Sequence, residues 1–209
     1  TSIILGNETK SVGSNALQNC SSEKLITGAK LETIGDYAFN YCTLIDTTIP
    51  STLTSIGTFA FDDTNIKEIY IPKNVTYIGG PLNSQATSIV IDEDNPIYDN
   101  RNDCNAIIET ATNILIGGCK NTVIPDTVAK IGDYAFQLSA IKSITIPNSV
   151  VTIGRNAFCS CTQLKNITLG TGIRQINQYV FYESEALTSI NYLGTISQWN
   201  SISKNYYWN

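Results

Sequence analysis

Few side chains in this 209-residue chain are equipped for chemistry, and most of those are thiols or carboxylates. Histidine is absent, which removes Ser–His and Cys–His nucleophile pairs and every His-ligated metal site. Cys159 and Cys161 form a C-x-C pair that could ligate a metal, but no second pair lies near them in sequence. Asp92, Glu93, Asp94, Asp99 and Asp103 form the densest acidic stretch and offer the oxygen ligands that Ca²⁺ prefers. Their spacing matches no EF-hand loop, so they read as a solvated acidic loop. Trp199, Tyr206, Tyr207 and Trp208 could stack on sugars, but the cluster reads as a plug for the open end of a core. No catalytic residue, cofactor or metal is expected.

The elements that position these residues follow from a repeated hexapeptide. Ile34-Gly35-Asp36-Tyr37-Ala38-Phe39 recurs as Ile56 to Phe61, Ile131 to Phe136 and Ile153 to Phe158, with looser copies at Val12 to Leu17 and Ile176 to Phe181. Within each run the copies are 22 or 23 residues apart. That step marks a solenoid, in which one turn cannot bury its apolar side alone and must stack on its neighbours. Ahead of each copy an alternating segment such as Ile69-Tyr70-Ile71 or Ile144-Thr145-Ile146 reads as a short strand with one buried face, ended by Pro72 or Pro147. Glycine in second place fits a left-handed or tight backbone position. The Ala-Phe pair reads as a short helical or 3₁₀ turn, with Phe39, Phe61, Phe136, Phe158 and Phe181 in one stacked column. The unit at Ile78-Gly79-Gly80 loses its Ala-Phe, and an insertion follows from Asp92 to about Gly118. Within it, Asn105 to Ile108 and Ile114 to Ile116 flank Thr110 to Asn113 as a β-hairpin.

This frame sorts the cysteines. Cys20, Cys42 and Cys161 share one position, where other units place Thr64, Ser139 and Ser184, so they read as small packed residues, although a Cys20–Cys42 bridge is conceivable. Centring the hairpin between Ala111 and Thr112 puts Cys104 opposite Cys119; a cross-strand disulfide and two free thiols both fit that spacing. Cys159 aligns with Gln18, Asn40, Asp62, Gln137 and Tyr182, which are mostly polar, and reads as an exposed thiol.

A net charge of −5 argues against a nucleic-acid partner, which would need clustered Lys and Arg. No apolar run approaches the length of a membrane span. The start, Thr1 to Gly6, has no basic region of a signal peptide, and the lack of Met suggests a mature or excised segment.

The frame Ile-x-Ile-Pro-x-x-Val-x-x-Ile-Gly-x-x-Ala-Phe, seen from Ile144 to Phe158, resembles the BspA-like leucine-rich repeats of bacterial surface proteins. Tyr98 to Thr110 and Tyr192 to Trp199 look like further segments of that family. The resemblance covers essentially the whole chain. It implies an α/β-type, leucine-rich-repeat-like right-handed coil, with one short strand and one short helical or 3₁₀ turn per 22–23-residue repeat. Residues 1–209 are expected to form one domain, with the inserted segment that holds the β-hairpin at about 92–118 and a C-terminal cap at about 193–209. It also implies bacterial secretion or cell-surface placement and a role in adhesion, with no catalytic residues to carry over.

The expected function is therefore a monomeric, non-enzymatic module that binds an extracellular protein or glycan through the exposed strand face and a protruding hairpin. Candidate contact residues are Asp46, Glu68, Tyr70, Val90 and Val123, the last three forming an apolar stripe on successive turns. β-propensity, or cover from the hairpin, would also explain that stripe. A parallel β-helix polysaccharide-cleaving enzyme is the alternative, but Asp46 and Glu68 are the only carboxylates on this face, with no basic residue stacked above them. A purely structural spacer within a larger surface protein is the third.

Overall fold

The computed structural model describes residues 1–208 as a solenoid of about nine turns, built from short strands. Each regular turn lays down two. The first is three or four residues long and alternates in burial, as in Ser143–Ile146, where Ile144 and Ile146 point inward. It pairs in parallel with Asn166–Leu169, which pairs in turn with Ser189–Tyr192. Proline then ends the strand and starts a β-turn, closed by the Val150 N–H on the Pro147 carbonyl at 3.2 Å. The second strand has two residues, such as Thr152–Ile153, and joins a second parallel ladder through Lys130–Ile131 and Gln175–Ile176.

The Ala-Phe segment is not helical. Ala38 N–H bonds to the Gly35 carbonyl and Cys42 N–H to the Phe39 carbonyl, and the third residue of each turn, Tyr37 and Tyr41, has φ of 56° and 59°. Positive φ there is the mark of a type II β-turn. It leaves Tyr37, Phe39 and Tyr41 free to donate along the stack to Thr58, Ala60 and Asp62 at 3.0, 2.8 and 3.0 Å. A helical turn keeps its N–H groups for its own chain, so bonding between coils selects the β-turn form. The only α-helix among the described residues is Ile196–Ser201, started by a capping box of Thr195 and Gln198. The molecule is a β-solenoid, mostly strands with almost no helix, which gives the α/β part of the expected class little support.

The glycines in second place have a different task from a left-handed turn, because no glycine has positive φ. A Cβ on Gly35 or Gly154 would lie 2.5 or 2.6 Å from the backbone nitrogen of Ser14 or Asp133 in the preceding coil, and one on Gly57 would press still closer on Asp36. Gly13, in the first coil, meets nothing within 4 Å. Glycine is needed here for close stacking.

The core is divided. One buried cluster runs from Val12 to Ile91 and a second from Ile124 to Ile202. The phenylalanine column is split in the same way. Phe39 stacks on Phe61 with centroids 5.4 Å apart, and Phe136, Phe158 and Phe181 stack at 5.0 and 5.9 Å. Between the two lies the inserted hairpin, Ala106–Glu109 paired antiparallel with Ile114–Gly118.

That hairpin does not protrude. Its second strand joins the parallel ladder of Lys130–Ile131, and its two faces serve different cores: Ile107 and Cys119 pack on the first, Cys104, Ala106, Ile108 and Leu115 on the second. Two glycines make the fit possible. A Cβ on Gly117 would meet Pro81 at 2.9 Å, and one on Gly118 would strike the Phe136 ring. Tyr98 completes the joint, its hydroxyl accepting the Ile78 N–H at 3.0 Å.

The same hairpin corrects the cysteine pairing. Pairing centred as expected holds for Glu109 with Ile114 and Ile108 with Leu115, but a bulge then skips Ile116, so that Ile107 faces Gly117. One added residue turns every later side chain to the other face. Cys119 therefore lies against the Asn105 carbonyl, and Cys104 and Cys119 are buried free thiols in separate cores.

Candidate interaction surface

The outward residues of the first strand in each turn make a face in three panels. The last is the most regular: Ser143, Asn166 and Ser189 form one row, and Thr145, Thr168 and Asn191 the next. Parallel strands set such side chains about 4.8 Å apart from coil to coil. Val123 and Leu193 rise beside these rows, and the groove between them has a volume of about 670 Å³. The strand pattern alone does not announce this groove, because Leu193 belongs to the cap.

The candidate residues of the first half fall on the other two panels. Asp46 lies on Asp46–Thr48, in register with Lys24 and 3.7 Å from its ammonium, so a basic residue does stand beside it. An exposed pair of this kind adds at most about 1 kcal/mol. Glu68 and Tyr70 lie on Glu68–Ile71, with Tyr70 directly opposite Val90. The two panels do not share a ladder. They part at Thr47, which stands where other strands carry Leu or Ile and whose buried hydroxyl lacks a partner. The gap is a groove of about 480 Å³ lined by Asp46, Thr48, Glu68 and Tyr70.

Tyr70 is 41% exposed and donates its hydroxyl to Asp92 Oδ2 at 2.7 Å. That bond holds the Asp92 carboxyl below the usual carboxylate range and raises the Tyr70 phenol. Asp92 also accepts the Asp94 N–H, and Asp99 is engaged by Arg101 at 2.6 Å, so the acidic stretch is tied into its own loop. Among the described residues no group of three His, Cys, Asp or Glu is arranged to hold a metal. Val123, 73% exposed, lies outside any strand beyond the break made by the hairpin, so no ladder carries the stripe from Val90 to it.

The remaining chemistry-bearing residues are structural. Cys42 and Cys161 donate to the Leu17 and Phe136 carbonyls of the preceding coil, each at 2.9 Å, and Ser184 does the same to Phe158 at 2.6 Å. In these three coils the frame position that alternates Cys with Ser bonds to the preceding coil, whereas the buried Ser139 hydroxyl at the same position has no partner among the described residues. Burial pushes the Cys161 thiol up to about 12. Cys159, expected at the surface, is only 7% exposed. The end cap is formed by the tryptophans, with Trp208 edge-on to Phe181 at 6.2 Å and Trp199 packed on Trp208, while Tyr206 and Tyr207 face out.

A stack of similar coils with grooves along its flank defines a repeat protein of the leucine-rich type. The chain belongs to the BspA type leucine rich repeat family, whose model matches six copies over residues 1–91 and 116–209. Solved structures agree on the fold. The pneumococcal vaccine antigen PcpA superposes with a TM-score of 0.69 at 18% identity, over 91% of this chain and 58% of that one. A leucine-rich repeat protein from Eubacterium ventriosum gives 0.60 at 18%, over 99% of this chain and 81% of that one. One from Bacteroides ovatus gives 0.53 at 23%, over 98% and 62%. This chain thus spans less than two thirds of PcpA and of the B. ovatus protein. No curated protein matches the chain. Among the described residues no helix is long and apolar enough to cross a membrane.

Proposed function

We propose that this chain is a non-enzymatic interaction module of a secreted or surface-displayed bacterial protein, binding an extracellular protein or glycan along its strand face. The observation that carries the reading is that grooves of about 480 and 670 Å³ both open on that face, one beside Asp46, Glu68 and Tyr70 and the other beside Val123. The larger is floored by rows held in register by paired strands, and the smaller is walled by the edge strands of two panels, so a partner can be met by more than one turn at once without ordering the protein first. The membership of the family and the likeness to a vaccine antigen support surface display. The hairpin contributes by holding the panels apart, since its strands are covered on both sides.

The test is a binding array of matrix proteins and glycans, probed with the native chain and with Glu68→Ala/Tyr70→Ala. Both side chains are exposed, so the double variant should keep its melting temperature and lose about tenfold or more in affinity for whatever the native chain captures. Undiminished capture by the variant would remove the first-half groove from the site. Capture of nothing by the native chain would favour the spacer role.

A further inference from the structure

The turn edge of the first coils carries a trough that the strand face does not use. Its floor is a file of polar side chains, one per coil: Gln18 Nε2 donates to Asn40 Oδ1 at 2.9 Å, Asn40 Nδ2 to the Asp62 carbonyl at 3.1 Å, and the Ser84 N–H to Asp62 Oδ1 at 2.8 Å. Tyr37 stacks on Phe59, with centroids 5.5 Å apart, and this pair with the exposed Tyr41 lines the trough with aromatic rings. Leu138 joins the lining from the second half of the chain, its carbonyl held by Gln85 at 3.2 Å. The volume is about 380 Å³, within the range of about 300–1,000 Å³ usual for small-ligand sites.

Asp62 is the informative group. Its residue is 2% exposed, yet it has no cationic partner among the described residues. Burial raises its carboxyl above the usual range, against the pull of the Ser84 donors. A carboxylate held this way gains from any further hydrogen-bond donor. With Asn40 Oδ1 and one N–H of each carboxamide engaged within the file, the second N–H groups and the Gln18 side-chain oxygen still offer donors and an acceptor together, which matches hydroxyl groups. An ammonium or guanidinium group could use the carboxylate and the rings but would have nothing to accept from the carboxamide N–H groups.

We propose that this trough is a subsite for one neutral sugar ring of a glycan, with its C–H face on the tyrosine rings and its hydroxyls on Gln18, Asn40 and Asp62. The site lies on a different edge of the coils from the strand face, so it stands or falls separately from the reading above. It has no counterpart in the second half, where Cys159 and Tyr182 take the places of Asn40 and Asp62 in the frame.

The test is a titration of the ¹⁵N-labelled whole chain with glucose, galactose, mannose and N-acetylglucosamine, and with β-linked disaccharides of each. At least one sugar should shift the side-chain amides of Gln18 and Asn40 and the backbone amides from Tyr37 to Tyr41, saturating in the millimolar range. Asp62→Asn keeps the shape and the acceptor for Ser84 but loses the charge, and should weaken that binding about tenfold or more. Tyr41→Ala, at an exposed ring, should weaken it comparably without changing the rest of the spectrum. The proposal is overturned if no sugar moves these amides, if the shifts fall on the strand face instead, if both variants bind as the native chain does, or if a lysine-rich or proline-rich peptide fills the trough and the sugars do not.

Discussion

Phe158→Ala should lower the stability of the chain by about 3–5 kcal/mol, read as a shift of the urea midpoint at unchanged slope. Phe158 is fully buried and has stacked rings on both sides, Phe136 at 5.0 Å and Phe181 at 5.9 Å. Truncation removes both contacts and leaves a void. Collapse into that void is resisted, because the flanking coils are fixed by the Phe136 N–H on the Ala157 carbonyl at 2.8 Å and the Phe158 N–H on the Val180 carbonyl at 2.9 Å. Loss of native packing in a cavity is costliest where the surroundings cannot relax. A change within about 0.5 kcal/mol, as for a surface position, would contradict the stacked core.

Gly57→Ala and Gly13→Ala should behave in opposite ways although they are the same substitution at the same frame position. Neither glycine has positive φ, so the added methyl carries no backbone strain. At Gly57 it would run into the backbone of Gly35 and Asp36, which cannot swing aside as a side chain could. The coils would have to part, at the cost of about 1–3 kcal/mol typical of overpacking, or more where the inter-coil bonds lengthen. At Gly13 the methyl meets nothing within 4 Å, and the loss of unfolded-state freedom should make the change neutral or stabilising by about 0.4–1 kcal/mol. Equal effects at the two sites would mean that glycine is required for its backbone conformation rather than for stacking.

Much of the architecture is legible in the sequence because it rests on periodicity. The strand and proline positions, the buried Ala-Phe pair, the hairpin strands and the Cys/Ser column all follow from residues that recur at one step. What is hidden depends on single residues. The bulge at Ile116 reverses the facing of Cys119, and no side chain there announces it; the pair Gly117-Gly118 is the available hint that something approaches closely on both sides. The helical reading of the Ala-Phe turn fails because Tyr37, Tyr134 and Tyr179 sit at positive φ, where tyrosine is unusual, and are kept there by bonding between coils. Asp46, Glu68 and Tyr70 line one groove from two panels that share no ladder, whereas Val123 is separated by an inserted layer whose position no local pattern specifies. The polar file of Gln18, Asn40 and Asp62 was visible as an aligned column, and only the structure places aromatic rings around it.

The arrangement that divides the core in two and sets the last panel apart is the hairpin lying inside the stack, bonded to the coils of one half and packed on both. Native-state hydrogen exchange of the whole chain tests this directly. Amides of Ile107, Ile108 and Leu115 should exchange as slowly as those of Ile56 and Ile153 in the regular coils, through opening of the whole domain. Rapid exchange across Ala106–Glu109 and Ile114–Gly118, with Ile56 and Ile153 still protected, would show a hairpin standing clear of the solenoid and would contradict the account.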